Sequence, residues 1–276
     1  MRRMNKKAKI FVLDILLFCF LAISIYSGFR LYKETADYKK GRESYKEIQE
    51  KVLLPDNDSG SKKILLDYEL LKRINSDFVG WIYLEDSSIN YPFVQTDNNE
   101  FYLYHLFDRS YNKSGCVFID AENQKDFSDK NTILYAHHMK NGTMFHDIVK
   151  YENQDYYDSH KVIHISTVDS EYVVYPIAGF YTTGFDDYLK IHFEDNEEFI
   201  EYVEKFRAES TFVSEETITE DDQIVLFSTC AYNVANGRYA LIGKLVKVGE
   251  QTDEMSQHIW QGRSAAMLHS LIGKSI

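Results

Sequence analysis

One strand-like run, Ile224-Val225-Leu226-Phe227-Ser228-Thr229-Cys230, ends in a thiol; an arginine follows at position 238, and far upstream the chain reads Tyr135-Ala136-His137-His138. A thiol, a cation and a histidine are the parts that acyl transfer through a covalent intermediate requires. A free thiol with a pKa near 8.5 is only about 3% thiolate at neutral pH, so a nucleophilic cysteine needs a base or a cation beside it. Cys230 is the candidate nucleophile and a histidine of the pair the candidate proton carrier. Arg238 cannot serve as a base, because a guanidinium keeps its proton; its charge suits a developing oxyanion or a peptide carbonyl.

Spacing supplies the elements that must hold these groups. Ile224, Leu226, Ser228 and Cys230 alternate with Val225, Phe227 and Thr229, which predicts a buried strand that displays Cys230 at its end and puts Ser228 on the same face. A seven-residue connection containing Asn236-Gly237 returns the chain into Arg238–Val246, a second strand-like run whose first residue lies beside the end of the first. His137 and His138 point to opposite faces if they continue a strand, so one of the two faces Cys230. A metal bound by the adjacent histidines lacks an Asp, Glu or Cys at close helical spacing to complete it.

Further strand-like runs fall at Trp81–Val94, Cys116–Ile119, Thr132–Ala136, Val162–Ser166, Glu171–Tyr181 and Tyr239–Val248. Helical spacing appears in Ile64–Asn75 and, ahead of the Cys230 run, in Glu197–Ala208 through Phe199, Ile200, Val203 and Phe206. The fold class is mostly β with a few helices, as a closed barrel or a sandwich.

A strand ending in Ser-Thr-Cys, an arginine opening the next strand and an upstream Tyr-small-His-His-Met together resemble the sortases, the cysteine transpeptidases of Gram-positive cell surfaces, and class B among them. Ile74-Asn75, Gly80-Trp81-Ile82, Ile89-Asn90-Tyr91-Pro92, Val94-Gln95 and Asn141-Gly142-Thr143-Met144-Phe145 resemble class B landmarks in the family's order, over roughly residues 64 to 248. The resemblance implies an eight-stranded sortase-type β-barrel with N-terminal helices and a helix before the penultimate strand. It implies Cys230, His137 and Arg238 as catalytic residues, with His137 chosen over His138 because it follows the small residue directly. Ser228, Thr229, Asn90 and Tyr181 are the implied substrate-binding residues. The implied partners are secreted proteins bearing a sorting motif, an Asn-Pro-Gln-Thr-Asn-like pentapeptide or a relative of it, and an amine of a peptidoglycan precursor. No cofactor and no metal are implied. Two departures stand out: Ala136 replaces the family's usual glycine, and Ala231, Tyr232 and Asn233 carry no acidic residue after the nucleophile.

Composition limits the other readings. The chain has 276 residues, 44% of them hydrophobic and 15% aromatic, enough for one sizeable domain and an appendage. Ile10–Phe29 is an apolar run of 20 residues, interrupted by Asp14 and preceded by Arg2, Arg3, Lys6, Lys7 and Lys9. That is a membrane span by length, longer than a signal-peptide core and without an Ala-x-Ala-like end. The basic flank predicts a cytoplasmic N-terminus with the remainder outside the cell membrane. The expected division is a cytoplasmic tail at 1–9, an anchor at 10–29, a helical stalk and linker at 30–63, the catalytic domain at 64–249 and a tail of unassigned role at 250–276. The net charge of −12 becomes −17 once the five basic residues of the first nine are set aside, which argues against a nucleic-acid partner. Cys19, Cys116 and Cys230 are too few for a disulfide scaffold; Cys116 reads as a strand-core residue, and a bridge from it to Cys230 would silence the thiol.

Three functions remain open at this level: a transpeptidase, a cysteine endopeptidase in which water resolves the thioester, and a catalytically silent surface scaffold on the same fold. Retention of Cys230, His137 and Arg238 together argues against silence. A pilin-polymerising variant lacks an evident Pro-rich lid and a second C-terminal hydrophobic span.

Overall fold

A computed structural model describes residues 6–54, 65–184, 186–230 and 237–248, with Cys230 described through its backbone. Helix α1 (Lys6–Val52) is continuous from the apolar run into the folded unit. No proline interrupts it before Pro55, and its Leu, Ala, Lys and Glu residues favour helix. Residues Ile10 to Phe29 leave their side chains exposed, long and apolar enough for a membrane crossing.

The end of α1 does more than set distance. Tyr45, Ile48 and Val52 are buried against the barrel. The Tyr45 hydroxyl donates to the Gly115 carbonyl at 2.6 Å, and Gln49 donates to the Asn90 carbonyl at 2.7 Å. Gly41 permits this approach, because a Cβ there would meet Ser114 Oγ at 2.8 Å. Short strands β1 (Leu53–Leu54) and β2 (Leu65–Leu66) then pair antiparallel, and α2 (Tyr68–Ile74) follows, capped by the Asp67 carboxylate on the Leu70 N–H.

Eight strands close the barrel: β3 (Phe78–Leu84), β4 (Asn90–Val94), β5 (Val117–Ile119), β6 (Asn131–Tyr135), β7 (Ile163–Thr167), β8 (Glu171–Thr183), β9 (Gln223–Cys230) and β10 (Gly237–Lys247). Their order around the barrel is β10-β8-β7-β3-β4-β5-β6-β9, with β9 returning to β10. The β4–β5 and β6–β9 pairs are parallel and the rest antiparallel. Loop helices Phe145–Glu152, a 3-10 helix, and α3 (Gln154–Ser159) lie between β6 and β7.

Alternation along β9 divides the core in two. Val225 and Phe227 join the larger cluster with Leu241, Phe93 and Phe145. Ile224 and Leu226 face the other way and, with Ala240, Ile242, Ala178 and Phe180, pack beneath α4 (Asn196–Ala208). Phe199, Tyr202, Val203 and Phe206 form the apolar stripe of α4, and Asp195 caps its first turn through the Glu198 N–H. The helix therefore covers the outer face of β8, β10, β9 and β6, next to the end where Cys230 emerges.

Candidate active site

Strand β9 lies between β6 and β10, and two registers fix the site. On one side Arg238 is the direct partner of Cys230 and Ala240 of Ser228. On the other Tyr135 is level with Ser228, and the Ala136 N–H continues the ladder to the Ser228 carbonyl at 3.4 Å. Two residues beyond the Tyr135–Ser228 pair on each strand stand His137 and Cys230. Paired positions share a face of the sheet, so positions 137, 230 and 238 form one row across three strands, and Thr182 of β8 extends it opposite Arg238. Ala136 is buried and its φ is not positive, so the methyl that replaces the family's usual glycine is accommodated.

His137 is half-buried beside the ring of Tyr104, at 6.3 Å between centroids. Its Nε2 lies 2.7 Å from the Leu103 carbonyl. A carbonyl only accepts, so Nε2 carries a proton and Nδ1 is the nitrogen that gains or loses one. Burial is the main cause holding the imidazole below its ordinary value of 6.5, the Arg238 charge acts in the same direction, and the Leu103 carbonyl opposes both. The group that orients His137 is thus a backbone carbonyl.

The loop that follows folds back on itself. The Phe145 N–H donates to the His137 carbonyl at 3.0 Å, and His138 forms an isolated antiparallel bridge with Met144. Met144 sits at φ 60°, ψ −133°, a conformation nearly reserved for glycine that costs on the order of 1–3 kcal/mol. Its fully buried side chain and the bond from its N–H to the Tyr91 hydroxyl at 3.1 Å hold it there.

The other sequence-predicted residues separate by face. Ser228 lies two positions before Cys230 in the same face of β9, buried, its hydroxyl 2.8 Å from that of Tyr188. Thr229 and Tyr181 flank Tyr239 in the adjacent row, which alternates to the opposite face; the Thr229 hydroxyl is buried without a hydrogen-bond partner among the described residues, and Tyr181 donates to Glu152. Asn90 accepts from the Trp81 indole at 2.7 Å and ties β4 to α1 through its carbonyl. His138 contacts His146. Cys116 is a free, fully buried thiol pushed up to about 12 by burial, its Sγ 3.7 Å from the Pro92 carbonyl. Residues 231–233, which carry no acidic residue after Cys230, lie outside the described residues, as do the linker at 55–63 and the tail at 250–276.

No protein-family model matches the chain. Sortase B of Staphylococcus aureus (strain NCTC 8325 / PS 47) is 30% identical over 247 residues, which are 89% of this chain and 100% of that one. The chain belongs to the sortase B family. Among solved structures, a Staphylococcus aureus sortase B–substrate complex matches with a TM-score of 0.70 at 31% identity, covering 78% of this chain and 100% of that one. A sortase B complexed with triglycine matches with a TM-score of 0.65 at 30% identity, covering 79% and 99%. The closed eight-stranded barrel is the sortase B fold, and the chain is a sortase-type cysteine transpeptidase.

Sequence reasoning missed three groups around the sortase B row: the Leu103 carbonyl, the Tyr104 ring and the Tyr188 hydroxyl. The first two lie in the β4–β5 connection and the third between β8 and α4. A tyrosine between the β8 strand signal and the α4 helical pattern, in Asp186-Asp187-Tyr188-Leu189, was the one visible hint.

Proposed function

We propose that Cys230, His137 and Arg238 are the catalytic residues and that the enzyme joins secreted proteins to a cell-wall amine. The Cys230 thiolate attacks a backbone carbonyl within a sorting motif, forming a carbon–sulfur bond. His137 gives its Nδ1 proton to the departing amine as the peptide bond breaks, leaving a thioester acyl-enzyme. An amine of a peptidoglycan precursor then attacks the thioester, His137 takes the proton back, and the thiolate leaves. Arg238 donates hydrogen bonds to the oxyanion formed in each half, an electrostatic contribution of about 3 kcal/mol in comparable sites. The lowered basicity of His137 makes its protonated form less populated than that of a free imidazole, and a stronger acid toward the departing amine.

The observation that carries this reading is the pair of registers that sets Arg238 opposite Cys230 and His137 two residues past the Tyr135–Ser228 pair. Substrate and acceptor classes draw support from the solved sortase B complexes with a substrate and with triglycine. Ser228, Thr229, Asn90 and Tyr181 are proposed to shape the peptide groove, and an Asn-Pro-Gln-Thr-Asn-like pentapeptide is the expected motif. The exposed apolar stretch of α1 anchors the enzyme in the cell membrane, with the basic N-terminus inside and the barrel outside.

A panel of sorting-motif peptides incubated with the full chain and an added amine tests this. The expected result is an amine-linked product that rises with amine concentration. Release of free acid alone at saturating amine would move the reading to a cysteine endopeptidase.

A further inference from the structure

We propose that His138 and His146 form a binding site for a divalent transition-metal ion of the Cu2+ or Zn2+ type, next to the candidate active site but outside its chemistry. Sequence alone pairs His138 with His137. The structure pairs it with His146, eight residues on and across the loop.

His138 Nε2 and His146 Nδ1 are 3.0 Å apart, with ring centroids at 4.8 Å and planes inclined by 62°. Without metal, such a contact needs one nitrogen protonated and the other bare, so doubly charging the pair breaks it. Imidazole nitrogens bind Zn2+ at about 2.0–2.1 Å, so two of them on one ion stand about 2.9–3.4 Å apart for angles between right and tetrahedral. The observed separation falls in that interval, and an ion bound to both nitrogens would sit about 1.4 Å off the line between them, so each ring turns by roughly 40° to aim its lone pair at it. Both histidines are partly exposed, so water can reach the remaining coordination positions. No third His, Cys, Asp or Glu joins them among the described residues. Two imidazoles and water favour Cu2+ over Zn2+, and both over the harder Mg2+ and Ca2+.

The two ligands close the loop that carries His137. His138 follows His137 directly, and His146 follows Phe145, whose N–H is bonded to the His137 carbonyl. A bound ion adds a tie to the His138–Met144 bridge and that backbone bond, across a loop strained at Met144. Occupancy therefore stiffens the backbone on which His137 is mounted.

The test uses the untagged full chain in detergent, stripped of metal and carrying Cys230→Ala so that the thiol cannot bind the ion. Cu2+ is titrated with electron paramagnetic resonance and calorimetric readouts. The expected spectrum shows coupling to two imidazole nitrogens, falling to one or none in His146→Gln and, separately, in His138→Gln, with affinity reduced at least about tenfold in each. Two variants guard against misfolding of either, and thermal melting checks both. The proposal is overturned if the parent binds no Cu2+, or if nitrogen coupling and affinity are unchanged in both folded variants.

Discussion

Arg238 and Cys230 are direct partners across the β10–β9 pair, so strand register sets the backbone of the candidate cation opposite that of the candidate nucleophile. Across the other edge of β10, Thr182 of β8 is the direct partner of Arg238. A cation mounted this way is preorganised, and preorganised donors are worth most where charge develops during reaction.

Replacing Arg238 with alanine or lysine should therefore depress turnover far more than stability. We expect kcat/KM to fall by about 100- to 1,000-fold in Arg238→Ala, and Arg238→Lys to recover only part, because an ammonium lacks the planar fork. Thermal unfolding should change little, since Arg238 is only half-buried and its side chain bonds to the Gly237 carbonyl beside it. Steady-state kinetics with a motif peptide, alongside melting curves, separate the two effects. Equal losses of activity in a destabilised variant would point to a structural arginine.

His137 provides a pH test with a defined sign. Its imidazole is held below 6.5 chiefly by burial and secondarily by the Arg238 charge. NMR titration of labelled histidine should give a value below 6.5 in the wild type and a higher one in Arg238→Gln. The folded state binds its proton less readily than the unfolded state, so this residue's contribution to stability is complete above about 6.5 and declines as pH falls through the folded value. Denaturant unfolding at pH 7.5 and 5.5 should show a larger acid loss in wild type than in His137→Gln.

Much of this architecture could be read in the residues. Strand β9 was legible because a continuous apolar run ends in small polar residues, and α4 because Phe199, Val203 and Phe206 repeat at helical spacing. The Phe145–Glu152 and Gln154–Ser159 helices were not legible, as one is a 3-10 helix without the 3.6-residue period and the other spans under two turns. The docking of α1 was hidden because Tyr45, Ile48 and Val52 sit among charges, and only their target on the barrel shows why they are apolar. Neither the Leu103 carbonyl on His137 nor the His138–His146 contact leaves a trace in sequence, since each depends on loops brought together by the closed barrel.

Beneath the row, Ser228 and Tyr188 share a buried hydrogen bond at 2.8 Å. Ser228→Ala or Tyr188→Phe should each cost about 1–3 kcal/mol, because either change removes one end of a hydrogen bond between buried groups. The double variant should cost less than the sum of the singles. A double-mutant cycle by denaturant unfolding measures that coupling, and strict additivity would mean the bond contributes nothing.

The end of α1 should behave as part of the folded unit. Tyr45→Ala removes a buried ring that packs edge-on against Tyr91 and bonds to the Gly115 carbonyl, and should destabilise by about 3–5 kcal/mol. Lys39→Ala, whose ion pair with Glu43 is exposed, should change stability by under about 0.5 kcal/mol. Melting of the two variants side by side distinguishes a docked helix from a spacer, which would leave both unchanged.

Acyl transfer through Cys230 is the central claim. Intact mass spectrometry of the reduced full chain, incubated with motif peptides before any amine is added, tests it most directly. The prediction is a mass increase equal to the acyl portion of one peptide, mapped to Cys230, absent in Cys230→Ala, formed more slowly in His137→Ala, and discharged into an amine-linked product on addition of amine. A fully reduced enzyme that turns over peptide without any adduct at Cys230, or that still forms the adduct in Cys230→Ala, would contradict it.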